Sequence, residues 1–257
     1  MGISSMVINQ VQEAEQEVAS LFDQLEKIKE FNFYKVLHAM QQAGLKDQHF
    51  QSHTGYGYHD PGREKTEEIF ASVFRGESAL VRPTIVNGTH ALSLCLTGNL
   101  FQGDRLLCIT GAPYDTLHPV VGLTGEHPGS LIRNGVTYYQ LELNPDNTIN
   151  QSAVADMIEN IKPTMIYCQR STGYSFRPAL TLNHLSGIIR WIKNRWSEII
   201  VMVDNCYGEF LDTYEPVEAG ADLIAGSLIK NPGGGLALTG GYVIGKESYV
   251  TRAAERL

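Results

Sequence analysis

Four short apolar runs constrain the fold of this chain more than any other feature. They are RLLCIT (105–110), TMIYCQ (164–169), IIVMVD (199–204) and DLIAGSL (222–228). None alternates apolar with polar residues, the pattern of a half-exposed strand, so each reads as a strand buried on both faces. Helical patterns over 88–100, 152–161 and 182–196 separate them. Strands alternating with helices specify an α/β fold, a mostly parallel sheet with helices on both faces. GGYVIG (240–245) reads as one more strand, and a helix is expected from about Arg63 to Phe74. Gly, Pro, His and Tyr crowd into QSHTGYGYHDPG (51–62), which marks a loop.

Composition narrows the class. The 257 residues are 43% hydrophobic and 19% charged, enough for one large domain or two small ones with a sizeable core. The net charge of −8, with no long basic run, argues against nucleic acid and anionic membrane as partners. No apolar stretch reaches the ~18 residues a membrane span needs. The Gln- and Glu-rich N-terminus carries no basic-then-apolar signal, so a cytoplasmic location is expected. Cys95, Cys108, Cys168 and Cys206 form no CxxC pair and read as buried, reduced thiols. Near the N-terminus, Val7, Val11, Ala14, Val18, Leu21, Leu25 and Ile28 recur at steps of four and three. That stripe fits a helix lying on its own domain or one packed on a partner subunit.

Ligands of open α/β sheets sit beyond the carboxyl ends of the strands. Asp204 ends one run, and Ser227 and Lys230 end another. Tyr114 and Asp115 follow RLLCITGAP, and Gly88, Thr89 and His90 open a helix after VRPTIVN. Each type suits one part of pyridoxal 5'-phosphate (PLP). A lysine forms an imine with the aldehyde, and a carboxylate keeps the ring nitrogen protonated. Backbone N–H groups at a helix N-terminus take the phosphate, where Gly88-Thr89 permits close approach. An aromatic such as Tyr114 stacks on the ring. Singly, an Asp after an apolar run is commonly a cap or turn residue. The order of phosphate turn, aromatic, Asp, Ser and Lys, with Lys230 26 residues after Asp204, is what points to PLP.

VDNCYGEF followed by GSLIKNPGGG resembles the cystathionine/methionine γ-lyase group of fold-type I PLP enzymes. With TGYGYHDPGREKTEEIF, VNGTHA, GAPYDTL and QRSTGYS, the resemblance narrows to bacterial cystathionine β-lyase-like proteins involved in aluminium resistance. It runs from about residue 30 onward. It implies that Lys230 is the Schiff-base lysine, Asp204 the partner of the pyridine nitrogen, Ser227 a phosphate ligand and Tyr114 the stacking ring. Gly88, Thr89 and His90 correspond to the phosphate turn. The Thr that usually precedes the lysine is replaced by Ile229, so that contact is lost or replaced. Tyr56-Gly57-Tyr58 is the nearest match to a Tyr-x-Arg segment that crosses to a neighbouring subunit's phosphate, with Arg absent. Tyr56 and Tyr58 therefore imply a homodimer or homotetramer with a shared active site. Arg170 ends TMIYCQR at the same rim, as a ligand of phosphate or of a substrate carboxylate, or as a surface ion pair.

The resemblance implies a fold-type I large domain over 56–245, an N-terminal helical segment over 1–55, and the start of a linker helix over 246–257. A smaller C-terminal domain is expected beyond it; its absence implies a shortened chain, a gene fragment or a separate chain. The implied reaction is elimination of a thiol from a sulfur amino acid. Lys230, freed by the substrate and near neutral in a dry, cationic site, would take the α-proton. Because one fold serves many reactions, an aminotransferase and a non-catalytic α/β binding protein remain as alternatives. Gly233, Gly234 and Gly235 are not a P-loop, since no Lys-Ser/Thr follows. The histidines show no metal-ligand spacing.

Overall fold

A computed structural model describes residues 2–53 and 59–257. The helices are α1 (Ser5–Gln42), α2 (Pro61–Phe74), α3 (Gly88–Asn99), the short α4 (His118–Val121), α5 (Gln151–Ile161), α6 (Leu182–Arg195) and α7 (Glu247–Ala254). The strands are β1 (Ser78–Arg82), β2 (Arg105–Cys108), β3 (Thr137–Gln140), β4 (Met165–Gln169), β5 (Ile200–Asp204), β6 (Leu223–Ser227) and β7 (Gly241–Gly245). They form one sheet in the order β1-β7-β6-β5-β4-β2-β3. The pairs from β6 through β3 are parallel, whereas β7 runs antiparallel to both β6 and β1. The expected α/β class, mostly parallel sheet and N-terminal helix are all present.

Strand periodicity divides the core into two layers. Leu107, Ile166, Val201, Val203 and Ile224 face α2, α5 and α6. Leu106, Met165, Tyr167, Ile200, Met202, Leu223 and Ala225 face α3 and α7. Because side chains alternate faces with a period of two, Asp204 follows Met202, and Ser227 follows Ala225, onto the α3 face. The strand phase thus places a carboxylate and a hydroxyl on the face covered by α3. Asn87 caps α3, its side chain accepting from the His90 amide at 2.9 Å.

The N-terminal stripe does not pack on its own chain. Val7, Val11, Leu21 and Leu25 are 45–55% exposed, and only Asn32 and Ala39 of α1 are buried. A 38-residue helix is about 57 Å long, and its first half carries this exposed stripe. Its second half is anchored: Asn32 Nδ2 donates to the Phe210 and Asp212 carbonyls at 3.1 and 2.9 Å. Among the described residues, no helix is long and apolar enough to cross a membrane. All four cysteines are free and buried.

Candidate active site

A cavity of about 360 Å³ opens at the carboxyl ends of β4, β5 and β6, beneath the N-terminus of α3. Gly88, Thr89, Tyr114, Asp204, Ser227 and Lys230 all line it. Residues expected at one rim from the ends of separate apolar runs therefore meet in one place.

Asp204 is 3% exposed. Its Oδ1 accepts from the Cys206 amide at 3.0 Å and its Oδ2 from the Tyr167 hydroxyl at 3.3 Å. Burial raises its pKa, against those hydrogen bonds and the charge of Lys230. Burial also works against the Lys230 ammonium, but Cys206, Asp204 and Tyr207 outweigh it and hold the pKa above the ordinary lysine value. Burial likewise pushes the Cys206 thiol well above its ordinary value. Among the described residues, Lys230 is the cation whose charge acts on Asp204.

Gly88 forms a cradle. A Cβ there would lie 3.0 Å from Cys206 Sγ, 3.5 Å from Ser227 Cβ and 3.9 Å from Lys230 Nζ, filling the space between the turn and the lysine. Asn87 takes the His90 amide, so Gly88 and Thr89 keep first-turn N–H groups with no partner in the helix. Thr89 Oγ1 is 2.5 Å from Thr116 Oγ1. Ser227 is fully buried, and its Oγ accepts from the Ile229 amide at 3.2 Å. Tyr114 meets Tyr174 with ring centroids 5.3 Å apart. The hydrogen bond with Tyr174, then burial, pushes the Tyr114 phenol up to about 12.

Two expected residues are placed elsewhere. The His90 side chain does not line the cavity, and its amide belongs to the Asn87 cap. The Arg170 guanidinium is neither a surface ion pair nor a lining group of this cavity. It is 3% exposed and bonds Asn205 Oδ1 (2.9 Å), the Gly208 carbonyl (2.6 Å) and Asp212 Oδ2 (2.8 Å). Those bonds use its donors to hold the turn after β5. Tyr56 and Tyr58 lie outside the described residues.

Other cavity residues were not anticipated. Tyr207 lies under Lys230 Nζ, 4.2 Å from its ring centroid, and Cys206 and Tyr174 complete the walls. Below the site, Glu209 is fully buried; Tyr242 donates to its Oε1 at 2.7 Å, and its Oε2 has no hydrogen-bond partner. Burial pushes its pKa up to about 7, against the Tyr242 hydrogen bond. The motif VDNCYGEF held both residues in plain view; what it did not carry was the backbone turn that aims them.

A family model for methionine gamma-lyase matches residues 7–257. The chain belongs to the methionine gamma-lyase family. A relative from Bacillus subtilis, the uncharacterized protein YnbB, is 48% identical over 246 residues, 95% of this chain and 58% of its own length. The crystal structure of a carbon-sulfur lyase involved in aluminum resistance from Clostridium novyi NT matches with a TM-score of 0.95 and 43% identity. That match covers 99% of this chain and 60% of that one. The chain spans about three fifths of the length of these relatives. The pyridoxal-5'-phosphate dependent protein YhfS from Escherichia coli shares the fold at a TM-score of 0.67 and 16% identity, over 91% of this chain and 58% of that one. The α/β fold is also shared with the methionine gamma lyase CalE6 from Micromonospora echinospora, at a TM-score of 0.58 and 18% identity over 82% of this chain and 52% of that one.

Proposed function

We propose that the protein binds PLP at Lys230 and serves as a carbon–sulfur lyase acting on a sulfur amino acid, of the methionine γ-lyase or cystathionine lyase type. The observation that carries this reading is the meeting of Lys230, Asp204, Ser227 and the Gly88 turn in one cavity, in a chain of this family. The donor set fits the cofactor. Asp204 is a buried carboxylate without a strong cationic partner, as a protonated pyridine nitrogen requires. Gly88 leaves room where a side chain would block approach to the first-turn amides.

Bound PLP supplies an electron sink for negative charge at the substrate α-carbon. The residues supply the rest. Lys230 anchors the cofactor, then moves the proton at the α-carbon. Asp204 keeps the ring-nitrogen proton in place. Ser227 and the Gly88 and Thr89 amides hold the phosphate, and Tyr114 covers one ring face. The domain that does this spans 56–245, between the helical segment 1–55 and a linker helix begun by 246–257. The exposed α1 stripe supports a homodimer or homotetramer with a shared site, to which Tyr56 and Tyr58 contribute.

The test is product chemistry. Purified protein with PLP is incubated with methionine or cystathionine, and thiol and keto acid are measured. Thiol and keto-acid release without an added keto acid supports elimination. Amine transfer that depends on an added keto acid assigns an aminotransferase instead. The aluminium link belongs to the named relatives and is extended to this chain as part of the same proposal.

A further inference from the structure

We infer that Tyr207 is a positioning residue for Lys230, its ring held beneath the lysine ammonium by the grip of Arg170 on the turn from Asn205 to Gly208.

The backbone is the first observation. The turn is closed by the Gly208 amide donating to the Asn205 carbonyl at 2.8 Å, and its third residue, Tyr207, has φ of 65°. That position normally goes to glycine or asparagine. A tyrosine there costs on the order of 1 kcal/mol, and such strain persists only where the surroundings impose it. Burial of the ring does not repay that strain, since Tyr207 is 59% exposed.

The clamp is the second observation. Arg170 Nη1 donates to Asn205 Oδ1 and to the Gly208 carbonyl, gripping both ends of the turn. Only glycine at 208 allows this, because a Cβ there would lie 2.5 Å from Arg170 Nη1. Asn205 Nδ2 donates at 3.1 Å to the buried Glu215 carboxylate on the other side. The turn is locked from two directions, and its aromatic ring is aimed at Lys230.

The third observation is what the ring meets. Lys230 Nζ sits 4.2 Å from the Tyr207 centroid, inside cation–π range. The other titratable groups facing Lys230 are Asp204 at the end of β5, Cys206 and Glu209 after it, and Tyr114 and Tyr174 across the cavity. Gly88 and Ser227, from α3 and β6, bring no charge. Asp204 attracts the ammonium without direction, whereas the ring face fixes where it rests. The hold acts on the charged amine and lapses when the amine is neutral. Tyr207 thus keeps the free lysine at the cavity wall and releases it when it loses its proton. The inference rests on Lys230 being the working lysine of the proposed function.

The test reads the lysine itself. The full chain is acetylated with acetic anhydride across a pH series, and the labelling of Lys230 is followed by peptide mass spectrometry. For Tyr207→Leu the midpoint of labelling falls by roughly half a pH unit to one and a half. For Tyr207→Phe it stays at the wild-type value, because the ring and not the hydroxyl holds the ammonium. Arg170→Gln shifts the midpoint in the same direction as Tyr207→Leu, and the double variant shifts it no further. An unchanged midpoint in Tyr207→Leu overturns the inference, as does a Tyr207→Phe variant that behaves like Tyr207→Leu. Since Tyr207 is mostly exposed, both of its variants keep the core intact, and this pair decides whether or not Arg170→Gln folds. Labelling needs no cofactor, so a chain that fails to bind PLP would end the proposed function while the Tyr207 series still decides this point.

Discussion

Replacing Gly88 by alanine separates cofactor binding from folding. Gly88 opens α3 with a backbone that any residue adopts, so the change brings no strain in φ. Alanine gains up to about 1 kcal/mol of helix propensity over glycine. The new Cβ sits 3.0 Å from Cys206 Sγ, which has to give by a few tenths of an ångström. These effects oppose one another, and the stability of Gly88→Ala is expected to stay within about 1 kcal/mol of wild type. Binding responds differently. The methyl group occupies the space between the first-turn amides and Lys230, where the phosphate is proposed to lie. Loss of one hydrogen bond to a charged group costs about 1.5–3 kcal/mol, so PLP affinity falls roughly 10- to 100-fold. Thermal melts without PLP give the first quantity, and titration followed by cofactor absorbance gives the second. Wild-type affinity in Gly88→Ala would refute the placement of the phosphate. Loss of the fold would refute the steric reasoning.

Further outcomes follow from the buried acid and the exposed helix. Glu209 has its pKa raised from 4.5 to about 7, so the stability it contributes is fully present below pH 4.5 and is lost as pH rises through 7. Wild type should lose roughly 3 kcal/mol relative to Glu209→Gln across that window, read from denaturant midpoints; parallel curves would contradict it. Leu21→Glu with Leu25→Glu should lower the assembly mass measured by light scattering while leaving the thermal melt of the α/β core in place. A mass unchanged by both charges would remove α1 from the interface. Tyr167→Phe deletes only a 3.3 Å hydrogen bond to the buried Asp204 carboxylate, so it should cost about 1.5–3 kcal/mol of stability, read from thermal melts, and move the Asp204 titration upward. A Tyr167→Phe variant in which Asp204 titrates as in wild type would show that the bond is idle.

The strands that could be read from residues alone were those whose burial is two-sided. RLLC, MIYCQ, IVMVD and LIAGS are almost wholly buried, and their continuous apolar character follows from helices on both faces. β1 and β3 escaped notice because SALVR and TYYQ lie at the two edges of the sheet and carry polar residues at their ends. The antiparallel direction of β7 was not legible, since direction depends on how the connection returns and not on the composition of the strand. Asp204, Ser227, Lys230 and Gly88 stood at the ends of apolar runs, and the parallel sheet brings such ends together. Arg170 occupied the same kind of position, but its side chain turns to the Asn205–Gly208 turn instead of the cavity. Tyr207 and Glu209 needed the turn geometry: a positive φ at a tyrosine and complete burial of a glutamate are tertiary outcomes that residue type alone argues against.

The proposed anchoring of PLP by Lys230 is read most directly by trapping the imine. The protein is incubated with PLP, reduced with borohydride, digested and mapped by mass spectrometry. A pyridoxyl group is expected on the peptide carrying Lys230, lost in Lys230→Ala, with the other lysines unmodified. A protein left unlabelled, or one labelled equally well when Lys230 is alanine, would contradict it.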